Sequence, residues 1–113
     1  MADIPELNKS LRDELEKMFV HQEDNIEKAV RCLKVFAHPS RLKILCVLRF
    51  GEQTVQNLEK YTGIAQATLS QHLSLLKDRG VVTSRREANY SYYSVANKQI
   101  IELFEMVQHM FCG

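Results

Sequence analysis

The sequence lacks the features that mark several classes of protein. It has no run of about 18 apolar residues, so nothing in it predicts a transmembrane helix. The N-terminus shows no signal-peptide pattern, and there is no repeat or low-complexity segment. A Gly-rich phosphate loop, a metal-hydrolase motif and a nucleophile elbow are all missing, which argues against an enzyme. We therefore expect a soluble, cytoplasmic protein without catalytic residues, cofactor, resident metal or membrane partner.

Length and charge narrow the class further. The 113 residues suit a single domain, and a homodimer would improve its burial. The net charge of +1 conceals an uneven distribution, because residues 1–27 hold eight acids and three bases whereas residues 28–113 hold six acids and twelve bases. The positive excess after residue 27 is compatible with a nucleic-acid partner, and we expect the acidic segment to face away from it.

Residues 54–79 have the pattern of a helix-turn-helix. Thr54 is a candidate N-cap for a short helix, and Gly63 supplies the positive φ that the turn after this helix often requires. The apolar side of the short helix is formed by Val55, Leu58 and Tyr61. A second helix is predicted over residues 66–79, and the stripe it buries consists of Leu69, Leu73 and Leu76.

The outer face of the second helix carries mainly uncharged hydrogen-bonding groups, whereas solvated helices more often carry Glu and Lys. Gln, Ser and Thr side chains can reach base edges and phosphates in a DNA major groove. The candidate DNA-binding residues of this helix are Gln66, Thr68, Ser70, Gln71, His72 and Lys77. An ordinary surface helix is the alternative for this segment taken alone, and for His72 packing or a core hydrogen bond is the alternative to DNA contact.

A basic hairpin follows the second helix. Residues 81–86 and 90–95 are predicted strands, joined by a turn at Ala88 and Asn89. Paired arginines on a hairpin beside a polar helix are typical of a wing that contacts the phosphate backbone or the minor groove. The candidate wing contacts are Arg85, Arg86 and Asn89. The predicted fold is thus mainly α with a small β-hairpin, a winged helix-turn-helix whose wing spans residues 81–95.

The flanking segments are predicted to be helical. Near-heptad apolar positions predict one long helix or two over residues 1–36, with residues 1–25 as an N-terminal extension and any break near residues 21–24. Pro39 begins another helix. Asn97 caps a final helix over residues 97–112, and its apolar residues cover too much surface for one neighbour. We therefore expect a homodimer formed through the N- and C-terminal helices.

Several of these segments resemble the ArsR/SmtB family of bacterial repressors. The matching stretches are residues 36–45, 69–76, 80–82 and 92–93, and the resemblance covers residues 26–113. It implies a winged-helix homodimer that binds an imperfect inverted repeat in double-stranded operator DNA and leaves when a small inducer binds. The chain departs from relatives at Ala65 and Ala67, where Ser is common, and losing a Ser cap costs about 1 kcal/mol of helix stability.

The resemblance also bears on the inducer. Metal-sensing relatives place Cys-x-Cys in the short helix or Asp, His and Glu along the last helix, and this chain has instead Thr54, Gln56, Asn97, Gln99, Met110 and Gly113. The cysteine pattern resembles the branch that includes HlyU, BigR and SqrR, which responds to reactive sulfur or oxidants. This implies that Cys46 and Cys112 form a redox-sensing pair, which persulfides or oxidants would convert to a disulfide or polysulfide bridge.

Other interpretations of the cysteines stay open. Cys46 would then be a small buried apolar residue, as cysteine often is. Alternatively the thiols, including Cys32, would bind arsenite or another soft metal, since His109 and Cys112 share a helical face. A repressor without any inducer is a further alternative, as is an interaction module that binds no DNA.

Overall fold

The computed structural model describes residues 6–111, which divide into two compact units, one ending at Lys34 and the other beginning at Val35. Cys112, one of the two predicted sensing thiols, lies outside the described residues. No helix within the described residues has the length and apolarity needed to cross a membrane.

The first unit is helical, and the sequence left open whether it holds one long helix or two. Helix α1 spans Lys9–Glu16, and the Asn8 side chain accepts a hydrogen bond from the Leu11 amide at 2.9 Å. A π-helical turn, Lys17–His21, leads to Gln22, which leaves helical geometry, and α2 then spans Glu23–Phe36. The segment therefore forms two helices rather than one, and it breaks where the sequence predicted.

The second unit contains four more helices, and three of them begin at a residue whose side chain caps the helix. The four helices are α3 (Pro39–Leu48), α4 (Val55–Thr62), α5 (Gln66–Asp78) and α6 (Lys98–Phe111). Thr54 Oγ1 accepts from the Asn57 amide at 3.2 Å, and Asn97 Oδ1 accepts from the Ile100 amide at 3.0 Å, so both predicted caps are confirmed. Gly63 ends α4 in the left-handed region, at φ 73°.

A three-stranded antiparallel sheet completes the second unit. Strand β2 spans Val82–Glu87 and β3 spans Tyr90–Val95, and they form the predicted hairpin with a turn at Ala88 and Asn89. A third strand, β1 (Gln53–Thr54), pairs with β3, so the order is β1-β3-β2. The sequence did not predict β1, because two residues are too few to show strand periodicity. The winged helix-turn-helix fold is confirmed.

The core of the second unit lies where α3, α4 and α5 meet the sheet. Leu58, Leu69, Leu73 and Leu76 are fully buried there, as the predicted helical stripes require. Tyr61, which the sequence places on the apolar side of α4 with Val55 and Leu58, is 60% exposed.

Helix α6 buries little of its apolar surface. Phe104 packs edge-on against Phe36, with ring centroids 5.3 Å apart, and is the one buried side chain of the helix. Five large apolar residues of α6 remain exposed: Leu103, Met106, Val107, Met110 and Phe111. This is the excess of apolar surface that the sequence predicted.

Candidate nucleic-acid interface and cysteine site

Helix α5 presents a polar face whose orientation is fixed by its buried face. Leu69, Leu73 and Leu76 are fully buried, so the opposite side of the helix must face solvent. The exposed predicted contacts are Gln66, Thr68, Ser70, Gln71 and Lys77. Among residues 6–111 none of these side chains makes a hydrogen bond or ion pair with another side chain. Their donors and acceptors are therefore available to an external partner.

The turn before α5 is held by its own hydrogen bonds. Thr62 Oγ1 donates to the Leu58 carbonyl at 2.6 Å and accepts from the Ile64 amide at 3.2 Å. Ala65 occupies the N-cap of α5 and offers no side-chain acceptor, as its identity predicted. The first turn of α5 thus keeps backbone amides without a side-chain cap, and such amides suit a phosphate.

His72 points away from the polar face of α5. It is half-buried, and its Nδ1 accepts a long hydrogen bond from Arg41 Nε at 3.4 Å, while its ring lies 4.8 Å from that of His38. Burial, followed by the nearby charges of His38 and Arg41, lowers the pKa of His72 below its ordinary value of 6.5. The geometry favours the packing alternative for this residue over DNA contact.

The two arginines of the wing differ in their contacts. Arg85 Nε donates to both carboxylate oxygens of Glu52, at 3.1 and 3.0 Å, and its Nη1 donates to Glu87 at 2.7 Å. The guanidinium also lies 4.6 Å over the ring of Tyr92, its cross-strand neighbour. Arg86 and Asn89 are exposed and make no side-chain hydrogen bond with another described residue. Arg86 is therefore the wing cation with an uncommitted charge.

Glu52 was not identified from the sequence, although it dominates the surroundings of Arg85. Hydrogen bonds from Arg85 lower the pKa of the Glu52 carboxylate from its ordinary value of 4.5, and the two carboxylates raise that of Arg85. The two residues are 33 positions apart, so no local pattern links them. Strand β1, which pairs Gln53 with Tyr93, brings Glu52 to the wing.

Cys46 lies on α3 and is partly buried, whereas Cys32 is exposed on α2 in the first unit. Both are free thiols. Cys46 borders a surface groove of about 430 Å³ that is also lined by Gln108 from the last turn of α6. The structure thus brings the middle of α3 and the end of α6 to one groove.

Residues 6–111 contain no preformed cluster of side chains that could bind a soft metal. No three His, Cys, Asp or Glu side chains are grouped there in a way that would hold an ion. His109 is exposed on α6, and the cysteine three residues after it lies outside the described part of the chain.

Comparison with known proteins identifies relatives across most of the chain. Residues 38–84 match the family described as bacterial regulatory protein, arsR family. The chain is 42% identical over 81 residues to the biofilm growth-associated repressor of Agrobacterium fabrum, covering 72% of this chain and 69% of that protein. It is 36% identical over 90 residues to the transcriptional activator HlyU of Vibrio cholerae, covering 80% of this chain and 83% of HlyU.

Solved structures agree with these sequence matches. Reduced HlyU from Vibrio cholerae superposes with a TM-score of 0.75 at 34% identity, covering 82% of this chain and 98% of that one. A homodimeric winged helix-turn-helix DNA-binding domain from Mycobacterium bovis superposes with a TM-score of 0.74 at 33% identity, covering 80% of this chain and 84% of that one. The winged helix is thus shared with regulatory proteins of related sequence.

Proposed function

The chain belongs to the ArsR family of bacterial regulatory proteins, and we propose that it is a homodimeric DNA-binding repressor switched by the thiols of Cys46 and Cys112. Its relatives are transcriptional regulators rather than enzymes, in agreement with the absence of catalytic motifs from the sequence. The names of the relatives include both a repressor and an activator. Repression is the proposed role because the repressor of Agrobacterium fabrum has the higher identity of the two.

The observation that carries DNA binding is the exposed polar face of α5. Three leucines anchor the helix from behind, so Gln66, Ser70 and Gln71 project from a rigid support. Helices with such faces read base edges in the major groove, while a neighbouring wing contacts phosphates. Arg86 and Asn89 at the tip of the hairpin are the wing residues available for that contact.

Dimerisation is supported by the exposed apolar surface of α6. Met106, Met110 and Phe111 are each more than 60% exposed in the single chain, which is costly unless another surface covers them. A second copy would cover them symmetrically and would present two α5 helices to an inverted repeat. The related domain from Mycobacterium bovis is described as homodimeric. We assign the contacts to α6 and the N-terminal helices.

The thiol switch is supported by the groove that Cys46 shares with Gln108. In the sequence Cys112 follows Gln108 by four residues. A Cys46 thiolate would attack the outer sulfur of a persulfide RS–SH, forming Cys46–S–SH and releasing RS⁻. The Cys112 thiolate would then attack the Cys46 sulfur and expel HS⁻, leaving a disulfide. A longer bridge would form if Cys112 had also acquired sulfur before closure.

Such a bridge would act on the DNA interface through packed helices. Helix α3 packs on α4, and α4 packs on α5, so a displacement of α3 reaches the polar face of α5. Tying α3 to the end of the proposed dimer helix would also change the spacing between the two α5 helices. Either change disfavours simultaneous contact with both halves of an inverted repeat.

A titration of the reduced protein into a labelled duplex from its own upstream region tests this function. We expect saturable binding that weakens steeply with added salt, and a sedimentation coefficient of a dimer. Treatment with an organic persulfide should weaken binding, and a reductant should restore it. Release by arsenite or a soft metal instead would favour the metal-responsive alternative, and indifference to both would favour a repressor without an inducer. No DNA binding under any condition would contradict the proposal.

A further inference from the structure

Cys46 lies between two open grooves on the second unit. One groove, of about 410 Å³, is lined by Lys43, and the other, of about 430 Å³, is lined by Arg49. Cys46 and Tyr61 contribute to both. Each volume falls within the range of sites that hold small organic ligands.

Positive charge flanks the thiol on both sides. Lys43 lies three residues before Cys46 on α3, and Arg49 lies three residues after it, at the C-cap, so each is a neighbour of Cys46 on the helix surface. Within residues 6–111, no acidic side chain lines either groove, and neither cation is in an ion pair. The charge of the grooves therefore favours an anionic ligand.

Arg49 is positioned to hold a carboxylate. Its guanidinium lies 4.5 Å over the ring of Phe50, which fixes the side chain at the edge of its groove. The planar guanidinium fork can bind both oxygens of a carboxylate at once, through the nitrogens that reach the groove.

The remaining walls suit an organic body. Phe50 and Tyr61 are 77% and 60% exposed, and both rings line the groove that Arg49 borders. Burying exposed aromatic rings of this kind against the carbon atoms of a ligand is favourable. The side-chain amide of Gln108 adds a neutral hydrogen-bond donor and acceptor to the groove. Thiol, cation and apolar wall thus lie within a single groove.

We propose that this site selects organic persulfides that carry a carboxylate, with Arg49 as the principal carboxylate contact and Lys43 as a second one. The inference rests on the proposed thiol switch and names the class of inducer that it accepts. The bound carboxylate places the RS–SH bond next to Cys46. The Cys46 thiolate attacks the outer sulfur, the S–S bond of the persulfide breaks, and RS⁻ leaves with the bonding electrons, so no other oxidant is needed.

The test compares two probes on the full-length reduced protein. Glutathione persulfide carries carboxylates, and 2-hydroxyethyl persulfide carries none. The initial rate of Cys46 persulfidation is measured for each probe by mass spectrometry of the Cys46 peptide. In Arg49→Gln we expect the ratio of the two rate constants to fall about tenfold, the lower end of what local charge steering provides. Arg49→Lys should retain part of the preference, and Lys98→Gln, the charge-matched control at the start of α6, should retain all of it.

The possible outcomes distinguish the carboxylate site from the thiol switch on which it rests. An unchanged ratio in both Arg49→Gln and Lys43→Gln would overturn the carboxylate site, even if Cys46 still reacts and DNA is still released. A ratio that fell equally in Lys98→Gln would also overturn it, because the effect would then be one of net charge. Failure of wild-type Cys46 to react with either probe would contradict the thiol switch itself.

Discussion

Arg85 of the wing is engaged by Glu52, a residue 33 positions earlier in the chain, through hydrogen bonds of 3.1 and 3.0 Å from Nε. Because Glu87 binds the same guanidinium, Arg85 faces two carboxylates and brings no free positive charge to the wing. Both carboxylates are exposed, so the pairs contribute little to folding stability. Their effect is expected instead on the electrostatics of DNA binding.

Removing the Glu52 charge should strengthen DNA binding. In Glu52→Gln one carboxylate near the wing is lost and Arg85 is released toward phosphate, so affinity should rise and its salt dependence should steepen. Fluorescence anisotropy at several salt concentrations measures both. Glu105→Gln, which makes the same charge change on α6, is the control and should have a smaller effect. Equal effects of the two variants would mean that the Glu52–Arg85 pair does not restrain the wing.

Arg86 should contribute more to DNA affinity than Arg85. Arg86→Ala removes an uncommitted cation, so we expect weaker binding on all sequences and a salt slope reduced by about 1. Arg85→Ala should weaken binding less, since its charge is already balanced in the free protein. Arg31→Ala in α2 serves as the control for loss of an exposed arginine. A larger loss for Arg85→Ala than for Arg86→Ala would show that the ion pairs open on DNA.

Gln71 should read sequence rather than charge. Its side chain is exposed on α5 and makes no side-chain hydrogen bond among the described residues. Gln71→Ala should reduce discrimination at one base position by about 1–3 kcal/mol while leaving the salt slope unchanged. Binding to a library of operator variants measures this. Ser74→Ala, which lies on the same helix outside the candidate set, should leave the profile intact, and a uniform loss in Gln71→Ala would point to a phosphate contact.

The His72 environment predicts a stability that depends on pH. Burial and the charges of His38 and Arg41 lower its folded-state pKa below 6.5. The unfolded chain therefore takes up the proton first, and the free energy of unfolding should fall as pH drops through 6.5, then level off once folded His72 is also protonated. Denaturant unfolding across this range should show a shallower fall in His72→Gln than in the wild type or in His21→Gln, the exposed control. Identical profiles in all three would contradict the assigned cause.

The buried leucines of α5 could be predicted from the sequence, whereas the orientation of His72 on the same helix could not. The spacing of Leu69, Leu73 and Leu76 fixed the buried side of α5, and Thr54 and Asn97 marked helix starts, because these signals are local. The orientation of His72 depends on Arg41 in α3 and on His38 at the N-cap of α3, and the ion pairing of Arg85 depends on Glu52. Such contacts join segments more than 30 residues apart and have no periodic signature.

At the Cys46 site, too, only some of the residues could be identified from the sequence. The sequence and its family resemblance singled out the thiol, but they assigned no role to Lys43, Arg49 or Tyr61, which line the grooves around it. The spacing of Tyr61 from Leu58 placed it on the apolar side of α4, but spacing does not show whether a residue on that side is covered. In the structure Tyr61 lines the grooves beside Cys46, which accounts for its exposure.

The measurement that tests the central claim most directly follows DNA release and thiol chemistry in one sample. Wild-type protein bound to its upstream DNA is treated with an organic persulfide, anisotropy is recorded, and the intact mass is then determined. We predict that release accompanies a bridge between Cys46 and Cys112, that Cys46→Ser stays bound, and that Cys32→Ser, the matched control, behaves like the wild type. Release that persists in Cys46→Ser, or a bridged wild-type protein that remains fully bound, would contradict the account.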